Sequence, residues 1–180
     1  QLSGLVPVAG ITTGRCFAGN ASLLGCCDVI IATEGSNIGM GGPAMIEGGG
    51  LGIYAPEEIG PMDVQVPSGV VDIAVKDEVE AVEVAKKYLS YFQGRLPTWE
   101  EHDQRRMRRI IPENRLRVYD IRQVIETLCD VGGVLELRKG FGNGTVTVLG
   151  RVEGRPFGII ANNPAHLGGA IDADAADKAA

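Results

Sequence analysis

The sequence predicts an α/β fold, because strand-like and helix-like apolar patterns alternate in its first third. An apolar run at residues 5–11 is typical of a buried strand. Small residues at positions 16–20 then lead into a helix that ends near Gly25. A further apolar run at residues 29–32 predicts a second buried strand, so the predicted order is strand, turn, helix and strand.

Residues 33–61 are rich in glycine and are predicted to form one long loop, a type of segment that is often functional. The spacing of Gly39, Gly41 and Ala44 matches part of a dinucleotide-binding fingerprint. That fingerprint must open a helix, and Pro43 with the glycines after it disfavours one there. Nucleotide binding is therefore a poor interpretation of this loop.

A short strand at residues 70–75 precedes a helix that Asp77 can cap. Acidic residues in the first turns of this helix, and lysines near its end, match the helix dipole. The helix is predicted to end near Gly94. Its predicted apolar face consists of Val79, Val82, Ala85 and Leu89.

Residues 95–117 form a candidate linker between two domains. Its arginines are Arg105, Arg106, Arg108, Arg109, Arg115 and Arg117. The favoured interpretation is a solvated connector. The alternative is a basic surface for an acidic partner or for the phosphates of coenzyme A.

The last third of the chain combines a helix with several strands. The pattern predicts a helix at residues 120–129 and strands at 134–138, 145–152 and 157–161. Residues 153–155 form a tight turn between the last two strands, which predicts a β-hairpin.

Composition excludes several classes of protein. The 26 glycines are about twice the average share, and without repeats they indicate tight turns and close backbone approach. A net charge of −6 argues against general nucleic-acid binding. No apolar run reaches the roughly 18 residues that span a bilayer. The charge and the short apolar runs together lead us to expect neither a nucleic acid nor a membrane as partner.

The cysteines and histidines do not predict a metal site. Cys16, Cys26, Cys27 and Cys129 contain no Cys-x-x-Cys pair, so we expect no structural zinc. The first three are interpreted as buried filler. Free cysteines suit a reducing compartment, namely the cytoplasm, or the mitochondrial matrix in a eukaryote. His166, alone in a glycine-rich loop, is interpreted as structural.

The turn at residues 16–20 is the candidate active site, because it starts a helix directly after a strand. The first N–H groups of a helix have no partner inside it, and the helix dipole favours negative charge there. Such a corner can bind the oxygen of a thioester as it becomes an enolate.

This segment resembles the motif of the crotonase superfamily in Gly14, residues 18–20 and residues 27–28, followed by an apolar strand. Hydratases of that superfamily have a glutamate at the position of Ser22. They also have a second acid in the loop that matches residues 39–43, where this chain has no carboxylate. Because proton shuttling needs two acids within reach, an ordinary hydratase is disfavoured.

The chain more closely resembles the carboxyltransferase subunit, or beta chain, of biotin-dependent acyl-CoA carboxylases of the propionyl-, acetyl- or methylcrotonoyl-CoA type. The matching segments, in the family's order, are residues 42–43, 57–60, 68–72, 119–125, 158–164 and 168–172. The family contains two crotonase-like ββα superhelix domains in tandem. The resemblance implies a fragment in which residues 1–94 end the first domain, 95–117 link the domains and 118–180 begin the second.

The resemblance implies carboxyl transfer from carboxybiotin to the α carbon of an acyl-CoA. In that scheme the freed biotin takes the α proton, so the protein needs no general base. The implied catalytic groups are the backbone N–H groups of Ala18 and Gly19, which form an oxyanion hole. Weaker candidates, for lining the acyl-CoA pocket, are Gly14, Gly41, Gly42 and Pro43.

The implied cofactor is biotin carried on a partner, with acyl-CoA as substrate and no metal on this chain. The implied partners are a biotin carboxylase with its biotin carboxyl carrier subunit, and further copies of the chain in a hexamer. The alternatives that stay open are a biotin-dependent decarboxylase, an enoyl-CoA hydratase or isomerase, and a non-catalytic crotonase-like scaffold.

Overall fold

The computed structural model describes residues 2–114 and 116–180, so Arg115 of the predicted basic segment lies outside the described residues. The chain divides into two compact units, of which the first ends at Leu89 and the second begins at Ser90. Within the described residues, no helix combines the length and the apolar character that crossing a membrane requires.

The first unit alternates short strands with helices. Its strands are β1 (Ala9–Thr12), β2 (Arg15–Phe17), β3 (Val29–Thr33), β4 (Asn37–Gly39) and β5 (Ile73–Val75). Its helices are α1 (Gly19–Leu24), α2 (Pro43–Gly48), α3 (Met62–Gln65) and α4 (Glu78–Ser90). A 3₁₀ turn covers Pro56–Glu58.

Two parallel sheets organise these elements. One has the order β1-β3-β5, and the other pairs β2 with β4. Strand β3 is central, which explains why Val29, Ile31 and Ala32 are fully buried. On one side of it, α1 contributes Ala21 and Leu24 to the core.

The predicted strand at residues 5–11 is wrong in its extent, because β1 begins only at Ala9. Ala9 lies opposite Val29, the first residue of β3, so earlier residues have no strand to pair with in this sheet. Leu5 is accordingly 77% exposed.

The predicted loop at residues 33–61 contains regular structure, namely β4, α2 and the 3₁₀ turn. The expectation that Pro43 disfavours a helix is wrong. Pro43 occupies the first position of α2, where a missing N–H costs nothing and the fixed φ of proline suits the helix.

Helix α4 is capped as predicted, since Asp77 Oδ1 accepts the N–H of Glu80 at 3.0 Å. Its buried face differs from the prediction. Ala85 is buried as predicted, but Val79 and Val82 are 70% and 45% exposed, and the other buried side chains are Ala81 and Tyr88.

The second unit is built on an antiparallel sheet. Its helices are α5 (Met107–Ile110), α6 (Ile121–Leu128) and α7 (Ala173–Ala179), and its strands are β6 (Leu135–Leu137), β7 (Thr145–Val152) and β8 (Arg155–Asn162). Further 3₁₀ turns cover Gln104–Arg106 and Leu167–Gly169. The sheet has the order β6-β7-β8, and α6 packs on it through Ile125.

The predicted hairpin between β7 and β8 is confirmed, with Val152 paired to Arg155. The two residues between them, Glu153 and Gly154, have φ angles of 51° and 74°. Positive φ at both central residues is what the type I′ turn requires, and this turn matches the twist of the flanking strands.

Two buried charged side chains, Asp130 and Arg151, hold this turn in place through bonds to backbone groups. Asp130, 5% exposed, accepts the N–H groups of Glu153 at 2.9 Å and Gly154 at 2.7 Å. Arg151, 3% exposed, donates to the carbonyl oxygens of Ser90, Gly94 and Gly154. These bonds satisfy polar groups that burial would otherwise leave without partners.

We predict that Asp130→Ala lowers the free energy of unfolding of this unit by roughly 2–4 kcal/mol, because two N–H groups lose their acceptor. Trp99, the single tryptophan of this sequence, packs against Gly154 and gives a fluorescence signal for urea unfolding. Asp177→Ala, at an exposed position of α7, is the matched control. Equal urea midpoints for Asp130→Ala and the parent protein would contradict the role of Asp130.

Candidate active site

The candidate site is the corner between β2 and α1. Strand β2 pairs in parallel with β4, and Cys16 is buried while Arg15 faces solvent. The chain turns at Ala18, whose φ of 51° and ψ of −120° lie in a region that alanine rarely adopts. Helix α1 begins at the next residue, Gly19.

The two N–H groups predicted as oxyanion donors have different environments. The N–H of Ala18 donates to the carbonyl oxygen of Gly39 at 3.0 Å, so in this conformation it is not an open donor. The N–H of Gly19 has no acceptor among the residues that the structure describes. A Cβ built on Gly19 meets no atom within 4 Å, which shows that the space around this residue is open.

The predicted pocket residues lie on two sides of this corner. Gly42 packs against Phe17, since a Cβ at Gly42 would lie 3.6 Å from that ring, and Gly42 caps α2 directly before Pro43. A Cβ at Gly41 would lie 3.3 Å from the sulfur of Met45.

Gly14 lies on the other side of the corner, directly before the first residue of β2. Its φ is 112°, and its N–H donates to Ser36 Oγ at 3.2 Å while its carbonyl accepts the N–H of Asn37 at 2.9 Å. Both polar groups of Gly14 therefore join segments of the fold. Ligand binding by Gly14 through these groups stays a prediction.

The corner carries no acid–base pair on α1. Ser22 lies one turn after Ala18, and its hydroxyl donates to the Ala18 carbonyl oxygen at 3.3 Å. Arg15 of β2 pairs with the carboxylate of Glu57. Bonding to its own backbone N–H, and then to Arg15, holds the pKa of Glu57 below its usual value.

Other polar residues singled out in the sequence have structural partners. His166 Nε2 lies 2.8 Å from Asp172 Oδ2, and the other oxygen of Asp172 accepts the N–H of Ala175 at the start of α7. The His166 contact and this capping bond lower the pKa of Asp172.

The cysteines differ in burial from the sequence interpretation. Cys16 and Cys129 are buried, but Cys26 is exposed, so its interpretation as buried filler is wrong. Burial raises the pKa of the Cys27 thiol, which disfavours a thiolate nucleophile. Within residues 2–114 and 116–180, no cluster of three or more His, Cys, Asp or Glu side chains is suited to a metal ion.

Sequence reasoning missed the partner of Ala18. The carbonyl of Gly39 could not be identified from the pattern, because β4 was included in the predicted loop. The pairing of Phe17 with Gly39 in the register of β2 and β4 brings that carbonyl to the corner. A three-residue strand with one glycine gives a weak signal in sequence alone.

Comparison with known proteins places the whole chain in one family. The model of the carboxyl transferase domain family matches residues 1–180. The methylmalonyl-CoA carboxyltransferase 12S subunit of Propionibacterium freudenreichii subsp. shermanii is 31% identical over 189 residues, which cover 100% of this chain and 36% of that protein. The biotin-dependent long chain acyl-coenzyme A carboxylase beta4 subunit of Mycobacterium tuberculosis is 30% identical. Its match covers 99% of this chain and 37% of that protein.

Solved structures agree with the fold. A single-chain, multi-domain long-chain acyl-CoA carboxylase superposes with a TM-score of 0.97 at 62% identity, over 99% of this chain and 18% of that one. The transcarboxylase 12S hexamer, with hydrolysed methylmalonyl-coenzyme A bound, superposes with a TM-score of 0.83 at 30% identity. This superposition covers 99% of this chain and 36% of that one. The predicted α/β crotonase-like fold is confirmed, and the chain spans little more than a third of its curated relatives.

We predict that Ala18→Gly stabilises the first unit by about 1 kcal/mol. Relief of the positive φ is worth roughly 1–3 kcal/mol, and the added freedom of the unfolded chain offsets only about 0.4–1 kcal/mol of it. Thermal unfolding measures the difference. Ala176→Gly, inside α7 at an exposed position, is the control and should destabilise. A lower melting temperature for Ala18→Gly would show that Ala18 is not strained.

Proposed function

We propose, from the premise that this chain belongs to the family of carboxyl transferase domains, that its protein carboxylates the α carbon of an acyl-CoA with carboxybiotin as donor. The observation that supports this most is the open N–H of Gly19 at the start of α1. Activity belongs to the whole protein, of which this chain matches about a third in its relatives.

The N–H of Gly19 is proposed to donate to the thioester carbonyl oxygen of the acyl-CoA. Loss of the α proton places negative charge on that oxygen, so the same hydrogen bond becomes stronger in the enolate than in the ground state. A fixed donor at a helix start needs no reorganisation as this charge develops. Carboxybiotin, when bound, would supply the carboxyl group as carbon dioxide by cleavage of its N–C bond, and the biotin nitrogen so freed would be the base that takes the α proton.

The Ala18 N–H is proposed as a second donor only after a local rearrangement of the corner, because it donates to the Gly39 carbonyl oxygen in this conformation. The N–H of Ala18 would join that of Gly19 if its bond to the Gly39 carbonyl opened, and a neutral hydrogen bond contributes about 0.5–1.5 kcal/mol net. The stronger bond to an enolate oxygen exceeds that amount. Gly14, Gly41, Gly42 and Pro43 remain proposed as residues of the acyl-CoA pocket.

The lack of a general base on α1 fits this chemistry. Ser22, where hydratases have a glutamate, already donates to the Ala18 carbonyl, and it has no acid–base function in the proposed reaction. The role of α1 is then to position and stabilise the enolate. This feature separates the proposal from an enoyl-CoA hydratase.

Exposed apolar side chains support an acyl thioester as ligand. The segment after β4 exposes Met40, Met45, Leu51, Ile53 and Tyr54, and α1 exposes Leu23 one turn beyond Gly19. Exposed apolar side chains of this kind can contact an apolar ligand. We propose that these side chains contact the acyl and pantetheine parts of the substrate.

We propose biotin on a partner as the cofactor, since relatives are named as biotin-dependent carboxylase beta subunits. The partner is then a biotin carboxylase with its biotin carboxyl carrier subunit. A hexamer of the whole protein is proposed from the hexamer assembly of the 12S structure. We propose the cytoplasm, or the mitochondrial matrix in a eukaryote, as the compartment of the protein. We also propose that residues 1–94 and 118–180 are parts of two tandem domains and that residues 95–117 join them.

The direct test is carboxylation by the intact protein with its biotin-carrying partner, ATP and labelled bicarbonate. Acetyl-, propionyl-, methylcrotonoyl- and long-chain acyl-CoA are the substrates to compare. We expect label in the carboxyl product of at least one of them, dependent on the biotinylated partner. Folded protein that labels none of these thioesters would refute the proposed function.

We predict that removing the Gly19 N–H lowers kcat about 100- to 1000-fold, as for other oxyanion donors. The change is Gly19→Pro, made in an Ala18→Gly background because proline restricts the residue before it. Proline is tolerated at the first helical position, so α1 should persist.

The matched control is Gly19→Ala in the same background, which keeps the N–H and adds a Cβ that meets no protein atom within 4 Å. Circular dichroism verifies folding of both variants. Equal loss of activity in the proline and alanine variants would assign Gly19 a packing role and remove it from the oxyanion hole.

A further inference from the structure

The second unit contains a cavity of about 490 Å³ between two short helices. One wall is a face of α5 with its preceding turn, and the opposite wall is a face of α6. The lining residues are His102, Arg106, Arg109, Ile110, Gln123, Glu126 and Thr127. This volume lies within the range of about 300–1000 Å³ that is usual for small-molecule sites.

The walls of this cavity are fixed by hydrogen bonds. Gln104 Nε2 donates to the Thr127 carbonyl at 2.6 Å, which ties the turn before α5 to the last turn of α6. Asp120 caps α6, and Arg122 of α6 makes a bidentate contact with Glu136 of β6. The cavity is therefore a formed feature of the unit.

Both arginines of the cavity lack an anionic partner. Among residues 2–114 and 116–180, no carboxylate pairs with Arg106 or Arg109, although Glu126 lines the same space. The neighbouring Arg105, outside the cavity, is by contrast paired with Asp103 at 2.9 Å. Two guanidinium groups and one carboxylate give the cavity a net charge of +1.

A buried nitrogen in the same cavity also lacks a partner. His102 Nε2 is inaccessible to solvent and makes no hydrogen bond to any residue that the structure describes. The backbone directly before His102 is held by the bridge of Glu101 to Asp130 and by the bond of Val131 N–H to the Glu100 carbonyl. A buried polar atom without a partner is costly, so His102 Nε2 is an unsatisfied group in the wall of this cavity.

We propose that this cavity binds a phosphate monoester of nucleotide type. Arg106 and Arg109 bind the phosphate oxygens, since guanidinium groups match phosphate geometry and give the cavity its net positive charge. Glu126, whose oxygens have no partner among the described residues, accepts hydroxyl donors from the sugar. The site belongs to the second unit alone and is independent of the Gly19 corner.

The test measures binding of AMP, inorganic phosphate and adenosine to the intact protein by calorimetry. We expect AMP to bind, phosphate to bind more weakly because it lacks the sugar hydroxyls, and adenosine not to bind. The affinity for AMP should fall as salt is raised. Adenosine binding as tightly as AMP, or the absence of saturable AMP binding, would overturn the proposal.

Variants locate the site. Arg106→Gln and Arg109→Gln should each weaken AMP binding about 10- to 100-fold, as expected for loss of a charge-assisted hydrogen bond. Arg108→Gln is the matched control, because Arg108 is exposed on α5 and does not line the cavity. A loss for Arg108→Gln equal to that for Arg109→Gln would show non-specific attraction and refute the assigned cavity.

Discussion

The hydrogen bond from the Ala18 N–H to the Gly39 carbonyl fixes the corner on which the proposed chemistry depends. It joins the end of β2 to the end of β4 and turns the chain so that the next N–H, of Gly19, has no acceptor in the fold. Ala18 adopts a positive φ to make this turn. Backbone strain at Ala18 thus accompanies an N–H at Gly19 that is left open for a ligand.

The strands around this corner explain why it is held in place. Strand β3 lies between β1 and β5 with four of its five residues buried, and α1 packs on that core through Leu24. Asn37 Nδ2, at the start of β4, donates to the carbonyls of Glu57 and Ile59, which anchors the second small sheet. A donor on such a scaffold keeps its direction while charge develops on a bound oxygen.

The elements with clear periodicity were predictable, and those set by tertiary contacts were not. The hairpin at residues 153–154 and the Asp77 cap follow from local turn and cap chemistry, so the sequence predicts them. The positive φ of Ala18 and the bond to Gly39 depend on the pairing of β2 with β4, which leaves no local signal. At Pro43 a local signal was present but was misinterpreted, because proline disfavours the interior of a helix and yet is favoured at its first position.

The candidate site was predictable as a segment and not as a set of atoms. The pattern of small residues indicated the strand-to-helix corner, and the family resemblance indicated its chemistry. Only the coordinates distinguish the Ala18 N–H, which is bonded, from the Gly19 N–H, which is open. Burial likewise corrects part of the predicted apolar face of α4: Ala85 is buried as predicted, but Ala81 is buried in place of the valines.

The most direct measurement is a structure of the intact protein with a non-reactive acyl-CoA analogue bound. The account predicts that the analogue's carbonyl oxygen lies about 2.7–3.1 Å from the Gly19 nitrogen, in line with its N–H. A carbonyl oxygen bound elsewhere, with the Gly19 N–H donating to a protein group, would contradict it.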